Sequence, residues 1–254
     1  MLIDTHCHLD AAEFDADREA VVARAEQQGI SGIVVPAVER SNFAAVSSIC
    51  RDYALCRPAY GIHPMYVNRA REGDLDALLD TLSRNDAVAI GEIGLDYFVP
   101  DHDKDRQDFW FSAQLRIARD TGLPVILHVR KAVDAVLAQL RRIKVSGGIA
   151  HAFNGSRQQA DEFMRLGFRL GFGGAMTHPR ATRLRDLAAT LPLESIVLET
   201  DAPDIPPEWL GRGRNEPGEL HRIAGILAEL RGMPLSEVIA ATGQNAQAVL
   251  PGIR

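Results

Sequence analysis

Ile3-Asp4-Thr5-His6-Cys7-His8, at the start of the chain, combines a strand-like beginning with two closely spaced histidines. Successive side chains of a β-strand point to opposite faces, so a strand over Leu2–His8 would place His6 and His8 on one face and Cys7 on the other. Two imidazoles on one face suit zinc or a neighbouring first-row metal, provided that further ligands come from elsewhere. Solvated histidines at a strand end would look the same, so the rest of the chain must supply the partners.

Beyond this segment, short runs rich in valine and isoleucine alternate with longer amphipathic stretches, which is typical of βαβ units. Strands are predicted at Leu2–His8, Gly32–Ala37, Cys56–Ile62, Ala87–Ile93, Pro124–His128, Gly147–His151, Phe168–Gly173 and Ser195–Thr200. Helices are predicted near Arg18–Gln28, Ser41–Asp52, Leu75–Ser83, Lys104–Thr121, Ala132–Ile143, Arg157–Leu166, Ala181–Thr190, Glu219–Leu230 and Leu235–Val249. The strand runs are mostly continuous and apolar, as in parallel strands covered by helices. The pattern predicts an α/β fold, a single (β/α)8 TIM barrel over residues 1–254, with a doubly wound open sheet as the alternative.

The composition is that of an ordinary soluble protein, with 254 residues, 46% hydrophobic and 24% charged. The formal net charge of −6 gives no general basic field, so a polyanion would have to be held by local arginines or bound cations. Cys7, Cys50 and Cys56 are odd in number and lack CxxC spacing, which predicts free thiols in a reducing compartment and favours the cytoplasm. We expect neither a cleaved signal peptide nor a membrane span.

Common metal ligands occur at or just after the carboxyl ends of most predicted strands, where barrels of this type build their active sites. These residues are His6, His8, His63, Glu92, His128, His151 and Asp201. Any one histidine alone is usually an ordinary surface or core residue. Their joint position is better explained by a metal centre, since burying so many polar groups without partners would be costly.

Several neighbouring residues have expected supporting roles. Glu92 has two carboxylate oxygens and can therefore bridge two cations. Asp96 is expected to be a loop or supporting group, and Tyr97 and Phe98 to line the cleft. Glu199 shares the strand face of Asp201 and either orients a ligand or pairs with a buried basic group. No function is expected for His102, His178 or His221.

Together these motifs resemble the TatD-type metal-dependent deoxyribonucleases, a branch of the amidohydrolase-like barrels. The resemblance extends over nearly the whole chain and is carried by Ile3–His8, Gly61–Pro64, Gly91–Tyr97, Pro124–Arg130, His151–Ser156 and Leu198–Pro203, with Gln107, Phe111, Gln114 and Leu115 after the fourth strand. The His128–Arg130 and His151–Ser156 stretches are most similar to an uncharacterised bacterial hydrolase subgroup. Pro206–Gly213 departs most from the family pattern.

The resemblance implies two divalent cations, either magnesium, manganese or zinc, and hydrolysis of ester bonds in nucleic acid. It also implies a ligand set in which Glu92 is shared: His6, His8, Glu92 and Asp201 for the first cation, and Glu92, His128 and His151 for the second. We expect a two-metal-activated water to cleave a phosphodiester. Asp201 would orient or deprotonate the water, and His63 would contact a phosphate oxygen or protonate the leaving group. Of Arg130, Arg157, Arg212 and Arg214, we expect only Arg130 to hold the substrate backbone.

The sequence leaves other functions open. The same type of barrel also serves hydrolysis of a small phosphoester or of a C–N amide bond. In many amidohydrolases a modified lysine bridges the metals at the position that Glu92 occupies here. A non-enzymatic scaffold with structural metals is a further alternative, distinguished by closed coordination. We expect DNA or a small phosphoester as partner, no membrane association, and a monomer; DNA versus RNA and exo- versus endonucleolytic cleavage stay open.

Overall fold

A single sheet of eight parallel strands, paired in chain order, organises the computed structural model, which describes residues 1–84 and 87–253. The strands are β1 (Leu2–Asp4), β2 (Ile30–Pro36), β3 (Cys56–Tyr60), β4 (Ala89–Asp96), β5 (Val125–Arg130), β6 (Gly148–Ala150), β7 (Phe168–Phe172) and β8 (Ile196–Leu198). The predicted (β/α)8 barrel is confirmed, and the open doubly wound sheet is not observed. We propose that one domain spans residues 1–254, of which residues 85, 86 and 254 lie outside the described ranges.

Helices follow the strands and cover the outside of the sheet. They are α1 (Arg18–Gln27), α2 (Phe43–Asp52), α3 (Gly73–Arg84), α4 (Lys104–Thr121), α5 (Val133–Arg142), α6 (Arg157–Arg165), α7 (Thr182–Thr190), α8 (Leu220–Arg231) and α9 (Leu235–Val249). Side-chain caps begin two of them: Asp103 accepts the Arg106 N–H at the start of α4, and the Ser156 hydroxyl accepts the Gln159 N–H at the start of α6. Within residues 1–84 and 87–253, every helix is too short or too polar to cross a bilayer.

The interior of the barrel is apolar toward one end. Small and branched side chains from seven of the strand regions form a buried cluster, among them Ile3, Val34, Ala59, Ile126 and Val197. Ala246, Leu250 and Ile253, from the C-terminal segment, belong to the same cluster. Ile253 packs beside Gly32, where a Cβ would lie 3.2 Å from its side chain. This end is therefore closed by packing, which leaves the opposite end, at the strand carboxyl termini, for polar side chains.

The seam between β8 and β1 is closed by hydrogen bonds just beyond the ends of these short strands. The Thr5 N–H donates to the Leu198 carbonyl at 3.0 Å, and the Asp201 N–H donates to the His6 carbonyl at 2.8 Å. Asp4, which is fully buried, accepts hydrogen bonds from the His6 N–H (3.2 Å), the Thr200 N–H (2.9 Å) and the Thr200 hydroxyl (2.5 Å). Asp4 therefore clamps together the two segments that carry His6 and Asp201.

The predicted and observed strand ends at this end of the barrel differ most for β1 and β4. β1 ends at Asp4 rather than at His8, because the chain bends there to bond with the segment after β8. His6 and His8 still converge and Cys7 is still buried on the other side, as predicted. β4 continues to Asp96, so Asp96 is a strand residue and not a loop residue. Gly94 permits this, because its φ is +153° and a Cβ there would lie 1.9 Å from the His128 carbonyl oxygen.

Candidate metal centre

A cleft of about 1160 Å³ opens at the carboxyl ends of the strands, and the histidines and acids predicted from the sequence converge on it. His8, His63, Glu92, His128, His151 and Asp201 line the cleft. His6 lies behind them and is fully buried, with its Nε2 atom 3.1 Å from Glu92 Oε2. The seven residues therefore form one polar cluster at the end of the barrel opposite the apolar one.

Glu92 occupies the middle of this cluster and is 2% exposed. Its Oε1 atom lies 2.9 Å from His128 Nδ1, 3.5 Å from His63 Nε2 and 3.9 Å from His151 Nε2. Its Oε2 atom lies on the side of the other two histidines, 3.1 Å from His6 Nε2 and 3.5 Å from His8 Nε2. The two oxygens of a single carboxylate thus face two separate groups of imidazoles.

Asp201 completes the group on the β1 side. Its Oδ1 atom lies 3.5 Å from His6 Nε2, 3.7 Å from His8 Nε2 and 3.6 Å from His151 Nε2. The residue has a φ of +58°, which costs a non-glycine residue conformational energy. Its N–H bond to the His6 carbonyl holds it in this conformation and keeps it beside the histidine pair.

The donor atoms fit divalent cations. Among the described residues there are three sets whose ligand atoms lie within 4.8 Å of one another inside the set: His6, Glu92 and His151; His6, His8 and Asp201; and His63, Glu92 and His128. The Nε2 atoms of His6 and His8 approach each other to 3.2 Å beside two carboxylates. Facing imidazole nitrogens next to carboxylate oxygens are what zinc and its first-row neighbours bind.

Without a cation, the buried carboxylates shift the pKa values of these imidazoles. Burial opposes protonation of His8, but Glu92, Asp201 and Asp10 outweigh it and raise the pKa of His8 to about 9. Burial also opposes protonation of His151, whose pKa is nevertheless raised to about 10 by Glu199, Asp201 and Glu92. The cluster thus attracts positive charge at these two side chains, as a cation site should.

Two carboxylates hold the outer nitrogens of His128 and His151. Asp96 Oδ2 lies 3.0 Å from His128 Nε2, and Glu199 Oε1 lies 3.1 Å from His151 Nδ1. Glu199 also accepts the N–H of Ala152 at 2.6 Å. These contacts fix the ring orientations, so that His128 Nδ1 and His151 Nε2 point toward Glu92. Two roles were considered for Glu199 from the sequence, orienting a ligand and pairing with a buried basic group. The two coincide, because its buried basic partner is His151, which is itself a candidate ligand.

His63 is placed differently from the other histidines. The N–H of Met65 donates to His63 Nδ1 at 3.2 Å, so a neutral ring carries its proton on Nε2, the nitrogen that faces Glu92. Burial, together with His128, lowers the pKa of His63 to about 4, so the ring is neutral at physiological pH. A protonated Nε2 donates a hydrogen bond and does not coordinate a cation. His63 therefore offers the cleft a donor, although it belongs to one of the three sets above.

Arg130 lies on the rim of the cleft, where its guanidinium carbon is 3.8 Å from the centre of the Phe98 ring. Two of the other arginines considered from the sequence are engaged elsewhere. Arg157 pairs with Asp161 at 3.1 Å, and Arg214 pairs with Asp17 at 2.7 Å.

The sequence reasoning missed several residues at this end of the barrel. Asp4 stands inside the opening motif, but its bonds to Thr200 are visible only once β1 and β8 are neighbours. The rim residues Asp10, Lys131 and Arg183 also line the cleft. They carry no local sequence signal, because their position follows from the folding of separate loops.

Comparison with known proteins places these observations in a family. The profile described as TatD related DNase matches residues 3–251. The metal-dependent hydrolase YjjV of Escherichia coli K12, named as uncharacterized, is 42% identical over 246 residues, which cover 96% of this chain and 95% of YjjV. The 3'-5' ssDNA/RNA exonuclease TatD of Shigella flexneri serotype 5b is 30% identical over 254 residues, 97% of each chain.

Solved structures agree with the sequence matches. The 1.8 Å crystal structure of the E. coli K12 TatD homologue YjjV has a TM-score of 0.94 and 40% identity, covering 98% of this chain and 97% of that one. An uncharacterized amidohydrolase from Saccharomyces cerevisiae has a TM-score of 0.84 at 20% identity, which shows a shared fold alone. The resemblance read from the sequence is thereby confirmed: the chain belongs to the TatD related DNase family of metal-dependent hydrolases.

Proposed function

We propose that this hydrolase cleaves phosphodiester bonds of DNA with two divalent cations, which Glu92 and the histidines and Asp201 around it would hold. The observation that carries the proposal is the placement of Glu92, whose Oε1 atom faces His128 at 2.9 Å while its Oε2 atom faces His6 at 3.1 Å. A single carboxylate between two imidazole groups is the arrangement expected of a bridging ligand.

We assign the cations to two ligand sets that share Glu92. The first set is His6, His8, Glu92 and Asp201, and the second is Glu92, His128 and His151. Imidazole nitrogens suit zinc and other first-row ions, and the carboxylate oxygens of the two sets also suit manganese, whereas magnesium prefers oxygen ligands alone. When bound, such a pair of cations supplies Lewis acidity and makes water nucleophilic near neutral pH.

The side chains of this chain then have separate tasks. Asp201 lines the cleft and would accept the proton of the attacking water. His63, neutral and protonated on Nε2, would donate a hydrogen bond to a phosphate oxygen. Of the two roles considered for His63 from the sequence, its donor geometry and low pKa favour the phosphate contact. Arg130, on the rim, would bind a phosphate further along the substrate.

Two observations support a large substrate over a small phosphoester. The cleft of about 1160 Å³ exceeds the roughly 300–1,000 Å³ of typical small-molecule sites. A relative with 30% identity is named as an exonuclease of single-stranded DNA and RNA. The proposal includes a monomer in the cytoplasm, for which the three free thiols, Cys7, Cys50 and Cys56, are suitable.

The test uses chelator-treated protein reloaded with manganese, zinc or magnesium. End-labelled single- and double-stranded DNA, RNA, a panel of phosphomonoesters and N-acyl amides are compared as substrates. We expect metal-dependent shortening of DNA that chelation abolishes. A Glu92→Gln protein purified in parallel controls for contaminating nucleases. Turnover of phosphomonoesters or amides, with every DNA substrate left intact, would contradict the proposal.

A further inference from the structure

The rim of the cleft carries unusual exposed apolar side chains. Five large apolar residues are exposed in the described part of the chain, namely Met1, Met65, Leu79, Phe98 and Phe109. Two of them, Met65 and Phe98, line the cleft, on the loops that follow β3 and β4. Phe98 is 51% exposed. An aromatic ring left open to solvent beside a catalytic centre is a candidate for contact with a ligand.

Two basic side chains lie close to the Phe98 ring. The Arg130 guanidinium carbon lies 3.8 Å from the Phe98 ring centre, and Lys131 Nζ lies 5.6 Å from it. Across residues 1–84 and 87–253, neither cation has a carboxylate oxygen within salt-bridge distance, whereas Arg157 and Arg214 do. Phe98 and Arg130 therefore form a flat, partly apolar and positively charged surface whose charge is not neutralised by the protein.

Charge is unevenly distributed around the mouth of the cleft. Three cations line it: Arg130 at the end of β5, Lys131 directly after it, and Arg183 in α7. Apart from the metal cluster and Glu199, the carboxylates that line it are Asp10, Glu13 and Asp204, which follow β1 and β8 on the other side. A polyanionic strand would therefore pass over the basic side, where Phe98 lies, although the chain as a whole is acidic.

We propose that Phe98 and Arg130 form a stacking subsite for one nucleobase of a single-stranded nucleic acid bound in the cleft. The inference rests on the proposed function and adds how the strand is held. Every base has a flat π face, so the subsite is tolerant of sequence and contributes about 1–3 kcal/mol per base. A base paired inside a duplex is not free to stack on it, so the subsite favours single strands.

The experiment compares two oligonucleotides of equal length on the metal-loaded enzyme. One is oligothymidylate, and the other has the same phosphate backbone with abasic tetrahydrofuran residues. The kcat/KM is measured for each, or the inhibition constant against labelled oligothymidylate where the abasic strand is not cut. We expect Phe98→Ala to lower kcat/KM for oligothymidylate about 5- to 150-fold, the equivalent of one stacked base. The values for the abasic strand should change little.

Two further variants serve as controls. Phe98→Tyr keeps an aromatic ring and should restore near-wild-type values on oligothymidylate. Phe109→Ala removes a similarly exposed ring, 47% exposed, from α4 outside the cleft lining, and should affect neither strand. The metal content of Phe98→Ala should match that of the wild type, which separates substrate binding from damage to the centre.

The outcomes distinguish the two proposals. If the wild type cleaves oligothymidylate and Phe98→Ala loses nothing, or loses equally on both strands, the stacking subsite is refuted and the nuclease proposal stands. If the wild type neither binds nor cleaves either oligonucleotide, the nuclease proposal fails and the subsite fails with it.

Discussion

Replacing Glu92 with glutamine preserves the shape of the side chain but removes its charge and converts one oxygen into an NH2 donor. In the structure both oxygens are used, one 2.9 Å from His128 Nδ1 and the other 3.1 Å from His6 Nε2. Whichever way the amide turns, one of the two imidazole groups loses its carboxylate oxygen and faces a group that cannot coordinate a cation. The substitution therefore tests the bridging role directly.

The expected loss follows from the electrostatics of the buried site. Two opposite unit charges about 4 Å apart attract each other by about 4 kcal/mol at an effective dielectric constant near 20. Removing the charge of Glu92 therefore weakens the binding of a divalent cation by more than this. Since about 1.4 kcal/mol corresponds to a factor of ten, the affinity for at least one cation should fall by about 10³-fold or more. Turnover at limiting metal should fall by a similar factor. The barrel should survive, because its core and the β8–β1 seam do not depend on Glu92.

The assay measures metal content by mass spectrometry after equilibration in metal-buffered solution, together with turnover and circular dichroism. Glu237→Gln, an exposed glutamate on α9, serves as the matched control and should retain both metals and full activity. A folded Glu92→Gln protein with near-normal metal content and near-normal turnover would refute the bridging role.

Further predictions concern the surroundings of the centre. Asp4→Ala leaves three buried donors without an acceptor and should lower the free energy of unfolding by about 3–5 kcal/mol, measured by urea denaturation; unchanged stability would contradict the clamp. His63→Ala should slow turnover about 10²-fold or more while metal content stays normal, and loss of a cation would instead make His63 a ligand. The pKa values of His8, about 9, and His151, about 10, leave both protonated near pH 8 in metal-free protein. Metal uptake should therefore release protons and tighten as the pH rises, and calorimetric heats that do not depend on the buffer would argue against it.

The sequence predicted the architecture well because the strands depend on local pattern. Continuous apolar runs such as Val125–Leu127 identify buried parallel strands without knowledge of their neighbours. Where the predicted strand ends were wrong, hydrogen bonds to residues distant in the sequence determine where the strand ends. β1 stops at Asp4 because Thr5 bonds to Leu198 at the end of β8 and His6 bonds to Asp201 beyond it, and β4 extends to Asp96 beside β5. Such partners are separated from them in the sequence by tens to hundreds of residues.

The composition of the cluster could likewise be predicted, but its contacts could not. The position of each candidate ligand at a strand end follows from barrel geometry, so the strand pattern predicted that His128, His151 and Asp201 would lie at this end of the barrel. The tautomer of His63 depends on the N–H of Met65, and the orientation of His128 depends on Asp96. These details require the folded loops, and they are what distinguish a hydrogen-bond donor from a metal ligand.

Anomalous diffraction from crystals of the manganese-loaded protein would locate the cations around Glu92. We predict two manganese peaks about 3.5–4 Å apart, one on each side of the Glu92 carboxylate, with His63 coordinated to neither. A single peak, or two peaks of which only one contacts Glu92, would contradict this prediction.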